Sequence, residues 1–453
     1  MALSIAPGRN CPPGVSRLAL GVVGVSRSKS LGCALFCAIF LLVPACGRED
    51  VAGPPEGPVD TVGSPEPTAF RGLWVLCEGS ARVLDRPERI DQLIERALDL
   101  GVTDLFVQVY RGGRSWFESD RADSAPFEAI HRETGIDPLA RVIERAHLVG
   151  LRVHAWVNVL SLSKNAEAPI LEALGTEAVH VDRRGRSLLG YPGFELPQPD
   201  RTWYRMGTPG LYLDPGAAGV REYLAQVMAG LVVRYPELDG LHLDYIRHPM
   251  VLPIAPGSRF GVGLDFGYGE SSRARFRAET GLSDPWREPA SPATSGLANN
   301  EAWDAWRRDQ VTLLVADIGR ALDALGGDVV LSAAVIPYAD RAYLVLAQDW
   351  RRWLEERLVD FVVPMVYTRD DRLFRYQVDA MGDGPFAGRI WAGLGVWLFA
   401  KQPQGATHQV ALADASGVAG DALFSYDAIL ASPPLYAALV AQYAAALERA
   451  PDE

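Results

Sequence analysis

The chain has 453 residues and a mass of 49.2 kDa, with 48% hydrophobic and 22% charged residues. That composition describes an ordinary globular protein with room for a substantial core, and it excludes an intrinsically disordered chain or a multi-span membrane protein. The 44 basic residues fall short of the 56 acidic ones, and residues 1–45 hold four cations and no acid, so without them the net charge moves from −12 to −16 by the same count; this argues against nucleic-acid binding through a basic face.

The first element is an address. The run Leu31 to Cys46 follows Arg27 and Lys29. Its apolar stretch of about thirteen residues is too short for a bilayer, which takes ~20 helical residues, and has the anatomy of a signal peptide. It ends in Val43-Pro44-Ala45-Cys46, similar to a lipobox, with Cys46 as the expected lipidated residue and membrane attachment through that anchor. Ordinary secretion with cleavage nearby is the alternative. Either way the expected location is outside the cytoplasm, periplasmic and anchored to a bacterial envelope membrane in the lipoprotein case. The stretch before the apolar run is long for an n-region, as expected of a true start further downstream, for example near Val22 to Val25. Residues 47–69, rich in Gly, Pro and acid, read as a flexible tether, so the divisions are 1–46 leader, 47–69 tether and 70–453 body. Cys11, Cys33, Cys37 and Cys46 belong to the leader, leaving Cys77 alone in the body without a disulfide partner or a Cys/His metal cluster. Cys77 sits at an apolar strand position and reads as a buried structural residue rather than a nucleophile.

From Phe70 onward, short apolar runs alternate with amphipathic stretches. Eight strands are predicted, at 73–77, 104–110, 152–159, 238–246, 328–335, 360–367, 390–398 and 421–426. Helices fall between them, clearest at 86–100, 138–150, 219–234, 301–325, 350–358 and, after the last strand, 434–450. Eight βα units predict an α/β fold, a (β/α)8 TIM barrel, over an open doubly wound sheet, because no strand leads into a GxGxxG turn. The connections 160–215 after strand three and 248–300 after strand four are too long for plain loops. Both leave C-terminal strand ends, where a barrel carries its active site, and should build cleft walls. Their Tyr191, Phe194, Trp203, Tyr204, Tyr268 and Trp286 suit stacking on sugar faces, with loop packing as the alternative for each.

Strand side chains alternate between the helical layer and the barrel interior. That parity turns His242 and Asp244 inward in strand four and His154, Trp156 and Asn158 in strand three. Strand one gives Trp74 and then Glu78, strand two Gln108 and Tyr110 with Arg111 just beyond, strand six Tyr367, strand seven Trp397, and strand eight ends on Tyr426. Asp244, followed by Tyr245, Arg247 and His248, is the sharpest candidate: a carboxylate held ionised by donors acts as nucleophile, base or transition-state stabiliser. Its plainer reading is an anchor for Arg247. His154 and His242 read as substrate-orienting or network partners rather than general acids. The predicted substrate-binding set is therefore Tyr110, Arg111, His154, Asn158, His242, Tyr245, Arg247, Tyr367, Trp397 and Tyr426.

These residues carry a family resemblance. FRGLWV (70–75), TDLFVQVYRGG (103–113), GLRVHAWVN (150–158), LYLDPGAAGVREYL (211–224), LDGLHLDYIRHP (238–249), VDFVVPMVY (359–367) and GDALFSYDAI (420–429) resemble glycosyl hydrolase-like family 10 across nearly all of 70–430. The resemblance implies an exported TIM-barrel glycosidase acting on a polysaccharide of the cell envelope. One lipoprotein branch of the family cleaves peptidoglycan glycan strands that have lost their stem peptides. Strand five reads LSAAVIPY where relatives show a SxSPF-like turn, and Met365 and Thr368 stand where Gln and Trp are usual, which leaves specificity open.

Glycoside hydrolysis normally needs one protonated carboxyl and one ionised carboxyl. Asp244 fits the second. Glu78 has the parity for the acid, with a salt bridge to Arg111 or Arg114 as its alternative, and Glu118, Asp120 and Asp370 are reserves. No organic cofactor or catalytic metal is implied. The competing expectations are a non-catalytic glycan-binding barrel, which keeps the cleft without an acid, and an envelope scaffold with no glycan affinity. The oligomeric state is not legible in the sequence.

Overall fold

The structure is a computed structural model that describes residues 69–254, 264–285 and 297–447. The leader with Cys46, residues 47–68 of the tether, Trp286 and the last residues of the predicted C-terminal helix lie outside that range. The body is built on eight parallel strands: β1 Phe70–Val75, β2 Asp104–Arg111, β3 Arg152–Asn158, β4 Gly240–Asp244, β5 Val330–Val335, β6 Phe361–Val366, β7 Trp391–Gly395 and β8 Gly420–Phe424. They pair in chain order, and β1 pairs with both β2 and β8, so the sheet closes into a TIM barrel. The flanking helices among the described residues include α1 Pro87–Asp99, α2 Pro138–His147, α3 Val220–Arg234, α4 Leu297–Asp323, α5 Trp350–Glu355, α6 Asp371–Gly382, α7 Pro403–Asp414 and α8 Pro433–Leu447.

Local chemistry explains the helix boundaries. α2 starts with Pro138 at its first position, where the missing N–H costs nothing, and Asp137 Oδ1 accepts from the Ala140 N–H at 3.1 Å. Its Leu139, Val142, Ile143 and Ala146 are buried against the barrel, and the chain leaves through Gly150 at φ 78°.

The interior is aromatic. Trp74, Phe106, Trp156, Phe361 and Trp391 fill it with Val363, Ala334 and Ala422, and Phe361 stacks on Trp391 at 4.1 Å between centroids. Glycine makes the room: a Cβ on Gly240 would stand 2.0 Å from His154 Nδ1, and one on Gly72 2.5 Å from the Phe106 ring.

Two predicted substrate contacts belong instead to this packed interior. His154 is buried, its Nε2 lies 2.8 Å from Asp104 Oδ1, and Arg152 and Thr103 also donate to that carboxylate. Burial alone would raise Asp104, but these hydrogen bonds outweigh it and hold the carboxyl below its usual range. His242 is wholly buried, accepts from Trp74 Nε1 at 3.2 Å, bonds Ser332 Oγ through Nδ1 at 2.8 Å and stacks on Phe106 at 4.3 Å. Its pKa is pushed well down by burial, so the ring is neutral. Both histidines keep the predicted parity but lie too deep to touch a substrate.

Tyr110 departs from the predicted parity. The β2–β3 register shifts between Gln108 and Tyr110, so Gln108 pairs with inward Trp156 while Tyr110 pairs with outward Val157. A bulge adds one residue and flips every later side chain. Tyr110 therefore packs in the outer core, where the Tyr223 hydroxyl of α3 is the charge neighbour that shapes its titration after burial.

The two long connections meet each other. Ser161–Ser163 pairs antiparallel with Leu211–Tyr212 inside the first, and Tyr204–Met206 of the first pairs antiparallel with Val251–Pro253 of the second. Asp214, in the LDPG motif, accepts from the Gly216 N–H at 2.9 Å and from Ser272 Oγ at 2.8 Å, tying the first connection to the helix Glu270–Thr280 of the second. Tyr191 and Tyr268 are buried in this cap, Tyr268 beside Trp303, so loop packing describes them.

Candidate active site

Strand β4 ends on Asp244, and the next residue, Tyr245, takes φ 51°. A left-handed non-glycine residue is uncommon and here turns the backbone back on the carboxylate. The Tyr245 N–H donates to Asp244 Oδ1 at 2.6 Å, Arg247 Nη1 reaches the same oxygen at 3.3 Å, and Trp156 Nε1 donates to Oδ2 at 3.2 Å. Burial raises the Asp244 carboxyl above its usual value, and Arg247, the Tyr245 N–H and Trp156 oppose it. Arg247 is itself buried and lies over the Tyr245 ring at 4.6 Å.

Aromatic rings wall this carboxylate. Tyr367 faces it, its phenol pushed well above the ordinary range by burial first and by the Asp244 charge second. Trp397 meets Tyr367 edge-on at 4.7 Å, and Phe424 touches Tyr367, Trp397 and Trp156 at 5.7, 5.6 and 6.2 Å. Trp397 is not on a strand, because β7 stops at Gly395 and a 3-10 turn, Val396–Phe399, carries the indole to 40% exposure. Asn158 is the register neighbour of Asp244 and accepts from Gln108 Nε2 at 3.2 Å, while the Cys77 thiol donates to Gln108 Oε1 at 3.2 Å. Burial pushes the Cys77 thiol up and out of nucleophilic range.

The predicted set thus divides. Asp244, Tyr245, Arg247, Tyr367, Trp397 and Asn158 come together at the barrel mouth, whereas His154, His242 and Tyr110 lie elsewhere. Tyr426 also leaves the set: β8 ends at Phe424, the helix Tyr426–Leu430 starts at once, and Tyr426 is buried in the outer core with the Arg96 charge of α1 beside it. Glu78 is held by two arginines. β1 stops at Val75, Cys77 rather than Glu78 turns to Gln108, and Glu78 ion-pairs with Arg111 and with Arg114, the latter at 3.0 Å. Its carboxylate thus has two guanidinium partners, in a cleft shared with Arg82, Arg86 and Trp116. Arg111 is engaged by the same pair.

The reserves sit outside the mouth. Glu118 pairs with Arg234 of α3 at 2.9 Å, Asp120 is exposed beside it, and Asp370 caps α6 by accepting from the Arg372 N–H at 3.0 Å. Phe424 was missed as a site residue, although the parity of β8 carries it inward with Ala422. Among the described residues no cluster of three or more His, Cys, Asp or Glu is placed to hold a metal ion.

A closed barrel with a carboxylate fixed at a strand end and aromatic rings around it has the architecture of a TIM-barrel glycosidase. The glycosyl hydrolase-like 10 family matches residues 69–383, and the chain belongs to that family. Glycosyl hydrolase DigH of Escherichia coli strain K12 is 25% identical over 406 residues, 82% of this chain and 84% of the relative. Glycosyl hydrolase YngK of Bacillus subtilis is 22% identical over 302 residues, 63% of this chain and 50% of the relative. Among solved structures, the PgaB glycoside hydrolase domain of Bordetella bronchiseptica superposes with TM-score 0.55 at 15% identity, covering 82% of this chain and 98% of that domain. A catalytic mutant of Gan42B, a GH42 β-galactosidase from G. stearothermophilus, gives TM-score 0.51 at 14% identity over 82% of this chain and 56% of that one. The last two likenesses concern the fold.

Proposed function

We propose that the protein is an exported, lipid-anchored glycoside hydrolase that cleaves a cell-envelope polysaccharide, peptide-free peptidoglycan strands in particular, with Asp244 as the ionised carboxylate. The single observation that carries this reading is the Asp244 clamp: a buried carboxylate at a barrel strand end, held on both oxygens by Arg247, the Tyr245 N–H and Trp156. Such fixed donors set a carboxylate's orientation before substrate arrives, which is how a low-dielectric site stabilises developing positive charge on a sugar. Tyr367 and Trp397 supply faces for the pyranose ring, so recognition rests on stacking and hydrogen bonds and not on the net charge of the body. Release of sugar from peptide-free strands by the wild type, set against Asp244→Asn, tests it.

One observation favours a second reading, a non-catalytic glycan-binding barrel. Glu78, the carboxyl expected to act as acid, is held by Arg111 and Arg114. Strand binding with no turnover by the wild type would decide for that reading.

A further inference from the structure

The ribbon that joins the two long connections is rooted beside Tyr245, the residue after Asp244, and ends in solvent. Its strands pair Met206 with Val251, Arg205 with Leu252 and Tyr204 with Pro253. At the root, Met206 and Val251 are buried, the Gly207 N–H donates to Met250 O at 2.8 Å, and Thr208 Oγ1 lies 3.4 Å from the hydroxyl of Tyr245, the residue after Asp244. At the other end the Ile254 N–H donates to Trp203 O at 2.9 Å, and these two side chains are 57% (Trp203) and 52% (Ile254) exposed.

The turn that presents Trp203 is firmly held. The Trp203 N–H donates to Asp200 O at 2.9 Å, and the buried Asp200 carboxylate accepts from Arg184 at 2.5 Å and from Arg186 at 2.7 Å. An exposed indole on an anchored turn costs little entropy to fix when a ligand stacks on it. Between Trp203 and Thr208 only Tyr204–Met206 is extended, and the chain bends at Gly207 and Thr208, so the two ends lie at most about 17 Å apart at ~3.3 Å per residue. A sugar ring on Trp203 would thus occupy a subsite at the far end of the ribbon from one at Asp244.

We propose that Trp203, with Ile254 beside it, is a distal platform for a pyranose ring of a long glycan strand, so that the protein prefers polymers to short oligosaccharides. This rests on the glycan reading of the Asp244 site, though not on turnover there. The ribbon runs from that site to the platform, which favours a glycan over a lipid surface as occupant.

The test measures affinity for peptide-free peptidoglycan strands of graded length, alongside their cleavage, for the full chain and its Trp203→Ala and Trp203→Phe variants, together with sedimentation on anionic phospholipid vesicles. Trp203→Ala should lower the ratio of long-strand to short-strand affinity about tenfold, the size of one aromatic stacking contact, and Trp203→Phe should restore most of it. A ratio that does not move, an equal loss at every length, or a loss confined to vesicle binding would overturn the platform. Length-dependent binding through Trp203 with no cleavage by the wild type would support the platform while defeating the hydrolase reading. Cleavage with an unmoved ratio would do the reverse.

Discussion

The indole N–H of Trp156 reaches Asp244 Oδ2 at 3.2 Å, so the topmost aromatic of β3 in the packed interior is also a hand on the candidate catalytic carboxylate. Barrel packing and site chemistry share this residue. Register enforces it, because Asn158 pairs with Asp244 and places Trp156 two residues lower on the same inward face.

Replacing Trp156 by Phe keeps an aromatic ring and removes the donor. Burial already raises Asp244 and Trp156 opposes it, so the substitution should raise the carboxyl further. With the ionised form active, the acid limb of the pH–rate profile should move to higher pH, and the rate on that limb should fall about tenfold. A pH profile of kcat/KM checks this; an unmoved limb would remove Trp156 from the positioning of Asp244.

Glu78→Gln should leave sugar release within about threefold of wild type. Glu78 is bound to Arg111 and Arg114, and all three side chains are partly exposed, so the stability cost should be about 1 kcal/mol or less after solvent screening. Kinetic assay and a denaturant melt read the two effects. A collapse of turnover with binding kept would return Glu78 to the role of acid.

His242→Ala should destabilise by about 3 kcal/mol, since it opens a cavity against Phe106 and strips Trp74 and Ser332 of their partner. A chemical melt gives the stability, and activity per folded molecule should change far less. Full stability with lost activity would make His242 a substrate contact after all.

Asp421 supplies a pH test of stability. It is buried, accepts from Tyr443 Oη at 2.7 Å, and burial pushes its carboxyl up to about 7 against the hydroxyl bond. The folded state then holds a proton that the unfolded state loses near pH ~3.9, so Asp421 costs stability progressively as pH rises from about 4 to 7. Asp421→Asn keeps the acceptor oxygen and removes the charge. It should be more stable than wild type at pH 8, by up to about 4 kcal/mol, with the gap closing near pH 4. Urea midpoints at both pH values check it, and parallel pH slopes would contradict it.

The fold was legible because parallel strands with both faces covered read as short apolar runs, and eight of them alternate with helical patterns. Parity placed Trp156, Asn158, His242 and Asp244 correctly where β3 and β4 run without a break. It failed where a strand bulges, as at Tyr110, or has already ended, as at Glu78 and Tyr426, whereas Trp397 reaches the mouth from the 3-10 turn that follows its strand. Depth along the strand was the second blind spot: His154 and His242 have the right parity but lie below the mouth, under aromatic rings. The Tyr204–Met206 and Val251–Pro253 ribbon was not visible, because two three-residue strands some 45 residues apart leave no periodic signal.

Whether Asp244 performs glycan cleavage is read by mass-spectrometric detection of products from peptide-free peptidoglycan strands. The wild type should release sugar and Asp244→Asn should lose at least about 10³-fold, with strand binding and the melt of the fold retained. Cleavage by Asp244→Asn at the wild-type rate would contradict it.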